Sequence, residues 1–424
     1  MKEESAVNLA SPIIVCFLVC IWSSALTAKE VTLSLLYPND RTTAGAHNEI
    51  RALFEKENPG IKVEVLAPAQ SYEELSQKVV RGAMISDTPD VVHQGLSLMR
   101  DLVDRGLAAP LDPFLAEAGG GAKLGYDDSM LRLGALKGKH YGIPFAISTP
   151  VVYVNLDLFK QTGVDPKDFP KTWDEIVALG KRLNDPAKGV VGFYFQWDIT
   201  ANWMFQSLVF ANGGRMTDDD EKKVAFDQPA GLKALETLER FAKSGMPNLP
   251  SSQARTAFAA GKLAIFADST SNLGKATTEI GDRFKFQVFP FPLPVAEGQL
   301  PAGGNLVVIL TKDPDKQRAA WKYVRFATGP IGQTIMAKHT GYLPSNKIAI
   351  ETPDLLGNFY KERPNYQTSL DQVPRLTGWY AFPGSNSLKI IDTIKKDTES
   401  VVTGKATAAE MMPRMASDVQ KLME

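Results

Sequence analysis

The sequence predicts an α/β protein of two lobes, and three observations carry that expectation. The chain has 424 residues, a length that favours two or more domains over a single core. Short apolar, β-branched runs alternate with stretches of helical spacing, the pattern of a largely parallel sheet with helices on its faces. Between residues 139 and 155 the chain joins two unlike pieces of backbone. Ile143 is held extended by the proline that follows it. Pro144 and Pro150 bracket the polar pair Ser148-Thr149, and Val151 to Val154 then reads as a buried strand. Such a connector suits a hinge between lobes, and equally an ordinary loop feeding a strand.

In chain order, Val31 to Tyr37 alternates apolar and polar residues and reads as the first strand. A polar turn over residues 38–43 leads to a helix from Ala44 to Asn58, stopped by Asn58-Pro59-Gly60. Ile61 to Leu66 is the second strand. Ser71 with Glu74 resembles a capping box opening a helix to Ala83, and Thr88 to Val92 is a short third strand. Parallel sheets bind ligands in the loops beyond the carboxyl ends of their strands, which directs attention to residues 39–43, 70–72 and 93–96.

Past the connector, Thr172 and Glu175 cap a helix running to about Leu183. Val190 to Phe195 is a strand, Ala201 to Ala211 a helix ended by Gly213-Gly214, and Pro229 to Ser244 an amphipathic helix. The acidic turn from Thr217 to Lys223 lacks the ligand spacing of a calcium loop and reads as a solvated hairpin. Later come strands over residues 284–294 and 303–310, a helix from Lys316 to Thr328, and terminal helices at 388–403 and 408–422, with Gly404 as a C-cap.

The first 28 residues read as a cleaved signal peptide: an apolar run of ten from Ile13 to Trp22, then small residues at Ser23, Ser24, Ala25 and Ala28. Both cysteines, Cys16 and Cys20, fall inside it, so the mature chain is expected to use no disulfide and no thiolate chemistry. A net charge of −1 supplies no basic field for nucleic acid.

The run from Gly142 to Trp173 reads P-F…S-T-P-V-x-Y-x-N…F…G…P-K-T-W-x-E. It resembles the middle of the extracellular solute-binding proteins of ABC importers, nearest to the subgroup for sugars and glycerol phosphates. The segments Leu107–Phe114, Phe258–Ser271, Thr340–Ser345 and Val401–Glu410 match the same family. The resemblance implies a periplasmic-binding-protein-like fold: two α/β lobes joined by a three-segment hinge, with a ligand cleft between them. Lobe I would comprise residues 29–145 and 268–342, and lobe II residues 146–267 and 343–424. It further implies a periplasmic, monomeric protein with no cofactor and no metal, whose partners are a small solute and the transmembrane subunits of a permease.

Carried over by motif, the glycerol-phosphate subgroup's contact residues fall on Tyr72, Ser148, Gly304 and Tyr342, with a serine in the segment 269–271 and Ser269 taken as its position. Two contacts are absent: the subgroup's carboxylate falls near Leu96, and its phosphate-binding arginine falls at Ala381. Aromatic residues surround the latter, at Trp379, Tyr380 and Phe382, and offer flat faces for sugar rings. Trp379 and Trp203 are therefore expected as stacking residues, with Arg41 or Arg255 able to replace the lost positive charge. These residues favour a neutral sugar or polyol over sn-glycerol 3-phosphate or a glycerophosphodiester.

Enzyme signatures are missing. The four histidines, His47, His93, His140 and His339, show no ligand spacing, and neither a phosphate loop nor a serine-nucleophile motif occurs. Scattered acids leave a glycan hydrolase as the remote alternative, and a binding protein serving a chemoreceptor as another.

Overall fold

The computed structural model describes Met1, residues 30–38 and residues 40–424, without the side chains of residues 40–42. The expected leader and the side chain of Arg41 lie outside the described residues. Among those residues, no helix is long and apolar enough to cross a membrane.

Two sheets form the centres of two lobes. The first contains β1 (Val31–Leu36), β2 (Ile61–Val65), β3 (Val91–Gly95), β4 (Gly142–Ser148) and, from far along the chain, β9 (Gly303–Ile309). Its order is β2-β1-β3-β9-β4. β1 runs parallel to β2 and β3, whereas β9 is antiparallel to both its neighbours, so the sheet is mixed. β2 alternates buried Ile61 and Val63 with exposed Lys62 and Glu64, as an edge strand should. β3, β4 and β9 are buried along their whole length. Helices α1 (Asp40–Glu57) and α2 (Tyr72–Met84) follow β1 and β2. The α2 cap differs from a reciprocal box: Ser71 Oγ accepts the Glu74 N–H at 3.1 Å, but Glu74 reaches back to the Gln70 N–H at 2.8 Å.

The second sheet has the order β8-β5-β7-β6, with β5 (Pro150–Asn155), β6 (Val191–Phe195), β7 (Leu263–Ser269) and β8 (Phe286–Pro290). β5 and β7 are buried throughout and lie antiparallel. Helices α3 (Trp173–Leu183), α4 (Trp203–Ala211), α5 (Pro229–Lys243) and α6 (Ser251–Ala259) belong to this side. Near the end of the chain, α10 (Ser387–Val402) packs on α5 and on α11 (Ala408–Met423).

The crossings are the informative part. β4 ends in one sheet at Ser148 and β5 begins in the other at Pro150, leaving Thr149 between them. Thr149 is tied to the next crossing: its N–H donates to Thr270 Oγ1, and its carbonyl accepts the Thr270 N–H, each at 3.0 Å. After β7 the chain enters α7 (Leu273–Ile280), which packs on α9 (Pro330–Thr340) of the first side.

Two expected boundaries then shift. β8 falls inside the segment assigned to lobe I, yet pairs with β5 in the second sheet. The reason is hydrogen bonding: a strand with proline breaks takes the open edge beside β5, and the chain returns to the first sheet only at β9. Residues just past 342 also stay with the first sheet. The Leu343 N–H donates to the Ile147 carbonyl at 2.6 Å, and Asn346 Nδ2 donates to the Leu124 carbonyl at 2.8 Å.

Candidate functional site

A cavity of about 340 Å³ lies between the two sheets. From the first side, Tyr72 enters as the first residue of α2, where the Ser71 cap fixes the turn. Its ring rests on Gly95, where a Cβ would stand 2.7 Å from the Tyr72 ring. Asn305 Nδ2 donates to the Tyr72 hydroxyl at 3.1 Å. Tyr342 follows Gly341, a left-handed C-cap at φ +92°. Its phenol interacts with the hydroxyls of Tyr72 and Ser271, while burial pushes its pKa up. Burial likewise holds the Tyr72 phenol well above its ordinary value, so both remain neutral at physiological pH.

Two glycines line the cavity where β9 begins, and the backbone requires glycine at Gly304. Gly304 has φ +105°, and a Cβ there would lie 1.8 Å from the Ala146 carbonyl oxygen. At Gly303 a Cβ would lie 2.6 Å from Ser148 Oγ and 2.8 Å from the Trp203 indole. Ser148 pairs with Gly303 across β4 and β9, which places its hydroxyl at the last position before the chain crosses.

From the second side come Trp203, Ser269, Ser271, Trp379 and three groups absent from the sequence expectation: Asp198, Thr200 and Ser251. Ser269 and Ser271 both line the cavity, and Thr270 turns away to the Thr149 pair. Trp203 and Trp379 have ring centres 6.1 Å apart, and Trp379 lies edge-on to Tyr72 at 6.4 Å. Their indole N–H groups already donate to the Pro301 and Ala201 carbonyls, at 3.0 and 3.3 Å. The rings, not their polar edges, remain for a ligand.

Arg255 also lines the cavity, but it is spoken for. Nε and Nη2 donate to the two oxygens of Asp268 at 2.9 and 3.0 Å, and Asp268 is fully buried. The Asp268 charge raises the guanidinium pKa further.

Leu96 and Ala381 line a larger adjoining cavity of about 740 Å³, which shares Trp379 with the first. Here charges that the sequence reading did not name stand near the two positions. Arg100 reaches the Ala381 carbonyl at 3.5 Å and forms a bidentate pair with Glu221 at 2.6 and 2.7 Å. Glu221 belongs to the turn read as a solvated hairpin; it is half-buried because it meets a guanidinium of the opposite lobe. A second contact across the cleft runs from Glu73 of α2, which accepts the Thr200 hydroxyl and the Ala201 N–H. Both contacts end on non-glycine residues in the left-handed region, Ala201 at φ +48° and Glu221 at φ +54°.

The structure thus gathers Tyr72, Ser148, Ser269, Gly304, Tyr342, Trp379 and Trp203 round one cavity; the side chain of Arg41 is not among the described residues. What sequence reasoning missed is Asp198, Thr200, Ser251 and Glu73, while Ser271 lies within the expected segment 269–271 and lines the cavity together with Ser269. A signal existed for the first two, since residues 196–202 form a polar loop after a strand, where such sheets place ligand contacts.

A family model described as bacterial extracellular solute-binding protein matches residues 49–368. The chain belongs to that family, the binding components of ABC importers. The sn-glycerol-3-phosphate-binding periplasmic protein UgpB of Escherichia coli K12 is 26% identical over 280 residues, covering 63% of this chain and 64% of that protein. UgpB of Mycobacterium tuberculosis, solved with glycerophosphocholine, superposes with a TM-score of 0.80 at 23% identity, over 93% of this chain and 98% of that one. A solute-binding protein of Thermotoga lettingae, solved with α-D-tagatose, gives 0.79 at 21% identity, covering 93% of this chain and all of that one. At these identities the two structures establish the shared fold and nothing about the ligand.

Proposed function

We propose that this chain captures a neutral sugar or polyol in the inter-lobe cavity by closing its lobes, and presents it from the periplasm to a permease. The observation that carries this reading is the wall formed by Tyr72, Trp203 and Trp379, whose rings face hydroxyls from Ser148, Ser269, Ser271 and Tyr342. Sugar rings present apolar C–H faces and a rim of hydroxyls, and such a wall satisfies both. The carbonyls of Ala201 and Pro301 hold the indoles in place, so little side-chain freedom is lost on binding.

Closure follows from differential contact: a ligand bridging both lobes stabilises the state in which they touch. In this reading the protein is a monomer without catalytic activity. One lobe centres on the first sheet with α1, α2, α7, α8 (Pro314–Ala327) and α9, and the other on the second sheet with the C-terminal helices.

A glycerophosphodiester is the second reading. Tyr72, Ser148, Gly304 and Tyr342 match the residue types of the glycerol-phosphate subgroup, and two of the relatives carry ligands of that kind in their names. A thermal-shift screen of mono- and disaccharides, polyols, sn-glycerol 3-phosphate and glycerophosphocholine on the mature protein separates the two. A ligand at 100 times its dissociation constant adds about 2.7 kcal/mol to stability. Stabilisation by sn-glycerol 3-phosphate alone refutes the neutral-sugar reading.

A further inference from the structure

The cavity holds a carboxylate on the side opposite to where the resemblance places one. Asp198 lines it from the loop after β6. Its Oδ1 is fixed by two donors, Ser251 Oγ at 2.9 Å and Gln196 Nε2. Ser251 is itself held, accepting from Gln196 Nε2 at 2.6 Å. The carboxylate is thus rigid and half-buried. Its second oxygen has no protein partner among the described residues.

We propose that Asp198 sets the charge selectivity of the cleft, accepting hydroxyl or ammonium donors of the solute and excluding solutes with net negative charge. This rests on the reading of the cavity as the solute site. The surrounding charges all point the same way. Arg255 is the one guanidinium among the described residues lining the cavity, and buried Asp268 neutralises it through both oxygens. Glu73 adds a second carboxylate at the rim, where it meets Thr200 and Ala201. The amino end of α2 points its partial positive charge at the cavity, but Glu73 and Glu74 in its first turn offset that.

Among the described residues, a phosphate monoester therefore meets Asp198 without a free counter-charge, in a setting where water screens little. A hydroxyl donating to the free Asp198 oxygen makes a charge-assisted hydrogen bond instead. A zwitterion such as a choline phosphodiester is tolerated, since its ammonium group can face the carboxylate or the aromatic rings.

The test is Asp198→Asn, which keeps the shape and the Oδ1 contacts but removes the charge. Calorimetry compares sn-glycerol 3-phosphate with sn-glycero-3-phosphocholine, which share the glycerol unit and differ in net charge. The expected result is that the substitution raises affinity for the monoester at least tenfold relative to the choline diester. An unchanged ratio, tighter binding of the monoester to wild type, or binding of neither ligand to either protein overturns the proposal. The sugar and polyol screen decides the broader reading separately, because neutral ligands can bind even where this charge rule fails. Asp198→Ser, which cannot misplace an amide, repeats the measurement should Asp198→Asn fold poorly.

Discussion

Removing Arg100 is expected to loosen the closed state, and the size of the effect follows from the pair it makes. Its guanidinium grips both oxygens of Glu221 at 2.6 and 2.7 Å, with Arg100 13% and Glu221 34% exposed. Tyr380 supports the same carboxylate, donating from its hydroxyl at 3.3 Å. Two unit charges about 4 Å apart attract by ~4 kcal/mol at an effective dielectric near 20. Desolvation and the ordering of two long side chains cancel most of this, leaving about 1–2 kcal/mol for a half-buried bidentate pair. The pair spans the two lobes, so it contributes only when they touch. Arg100→Met should then weaken affinity for the physiological solute about 5- to 30-fold, since 1.4 kcal/mol is a factor of ten. Solution X-ray scattering of the ligand-free protein should show a larger radius of gyration. Because one contact is at stake, Arg100→Met with Glu221→Gln should be no worse than either change alone. Unchanged affinity and an unchanged radius, or simple additivity, would refute the reasoning.

The same pair gives a pH prediction. The Arg100 hydrogen bond holds the Glu221 carboxyl below its ordinary value. Its contribution is complete above the unfolded glutamate range near 4.3 and is lost as pH falls through the depressed value; ligand affinity measured by calorimetry should be flat from about pH 5 to 8 and drop below about 4. Burial lowers the His93 pKa to about 3, against an unfolded value near 6.5. The unfolded chain alone binds that proton in between, so stability falls by about 1.4 kcal/mol per pH unit of acidification there, and His93→Phe should flatten the slope in denaturant titrations. Gly304→Ala, which forces a side chain into φ +105° and onto the Ala146 carbonyl, should cost about 3 kcal/mol or more in urea unfolding. Trp379→Ala should cut affinity for a sugar or polyol by about tenfold or more; because the indole is buried and donates to the Ala201 carbonyl, it should also cost about 3–5 kcal/mol of stability, so affinity is measured by calorimetry well below the lowered melting temperature.

The sequence carried the fold because its local signals agree with the tertiary structure. Pro144 and Pro150 mark the crossing, and the apolar run Val151–Val154 marks β5 as a buried strand. The caps at Ser71 and Thr172 start helices where expected, the latter with Glu175 accepting from the Thr172 hydroxyl at 2.7 Å. β8 was misplaced because its proline breaks say that it is an edge strand, not which sheet owns the edge. The charges were the least legible. Arg100 and Glu221 are 121 residues apart, and nothing local in an acidic turn says that one of its carboxylates meets a guanidinium. For Asp198 the sequence offers only its place in a polar loop after a strand; what makes it a rigid acceptor is the Ser251 and Gln196 contacts that hold it, and those come from the fold.

Some of the legible residues share a position, and that position bears on the proposed mechanism. Ser148 is the last residue of β4, Ser269 the last of β7, and Gly303 and Gly304 the first of β9. All sit where the chain passes between lobes. A ligand held by those residues contacts the hinge strands themselves, so it feels little change as the lobes rotate, and binding there supplies affinity more than closure. The groups that move most lie farther out: Glu73 against Ala201, Arg100 against Glu221, and Trp379 between the two cavities. Differential affinity for the closed state must come from contacts of this outer kind. The left-handed backbone at Ala201 and Glu221 stores about 1–3 kcal/mol each, held by Trp379 and Tyr380 on the same side and by Glu73 and Arg100 across the cleft. On the proposed reading, opening would release Glu73 and Arg100 from these partners, so the outer contacts and the strain beneath them would tune closure, while the residues at the crossings would select the solute.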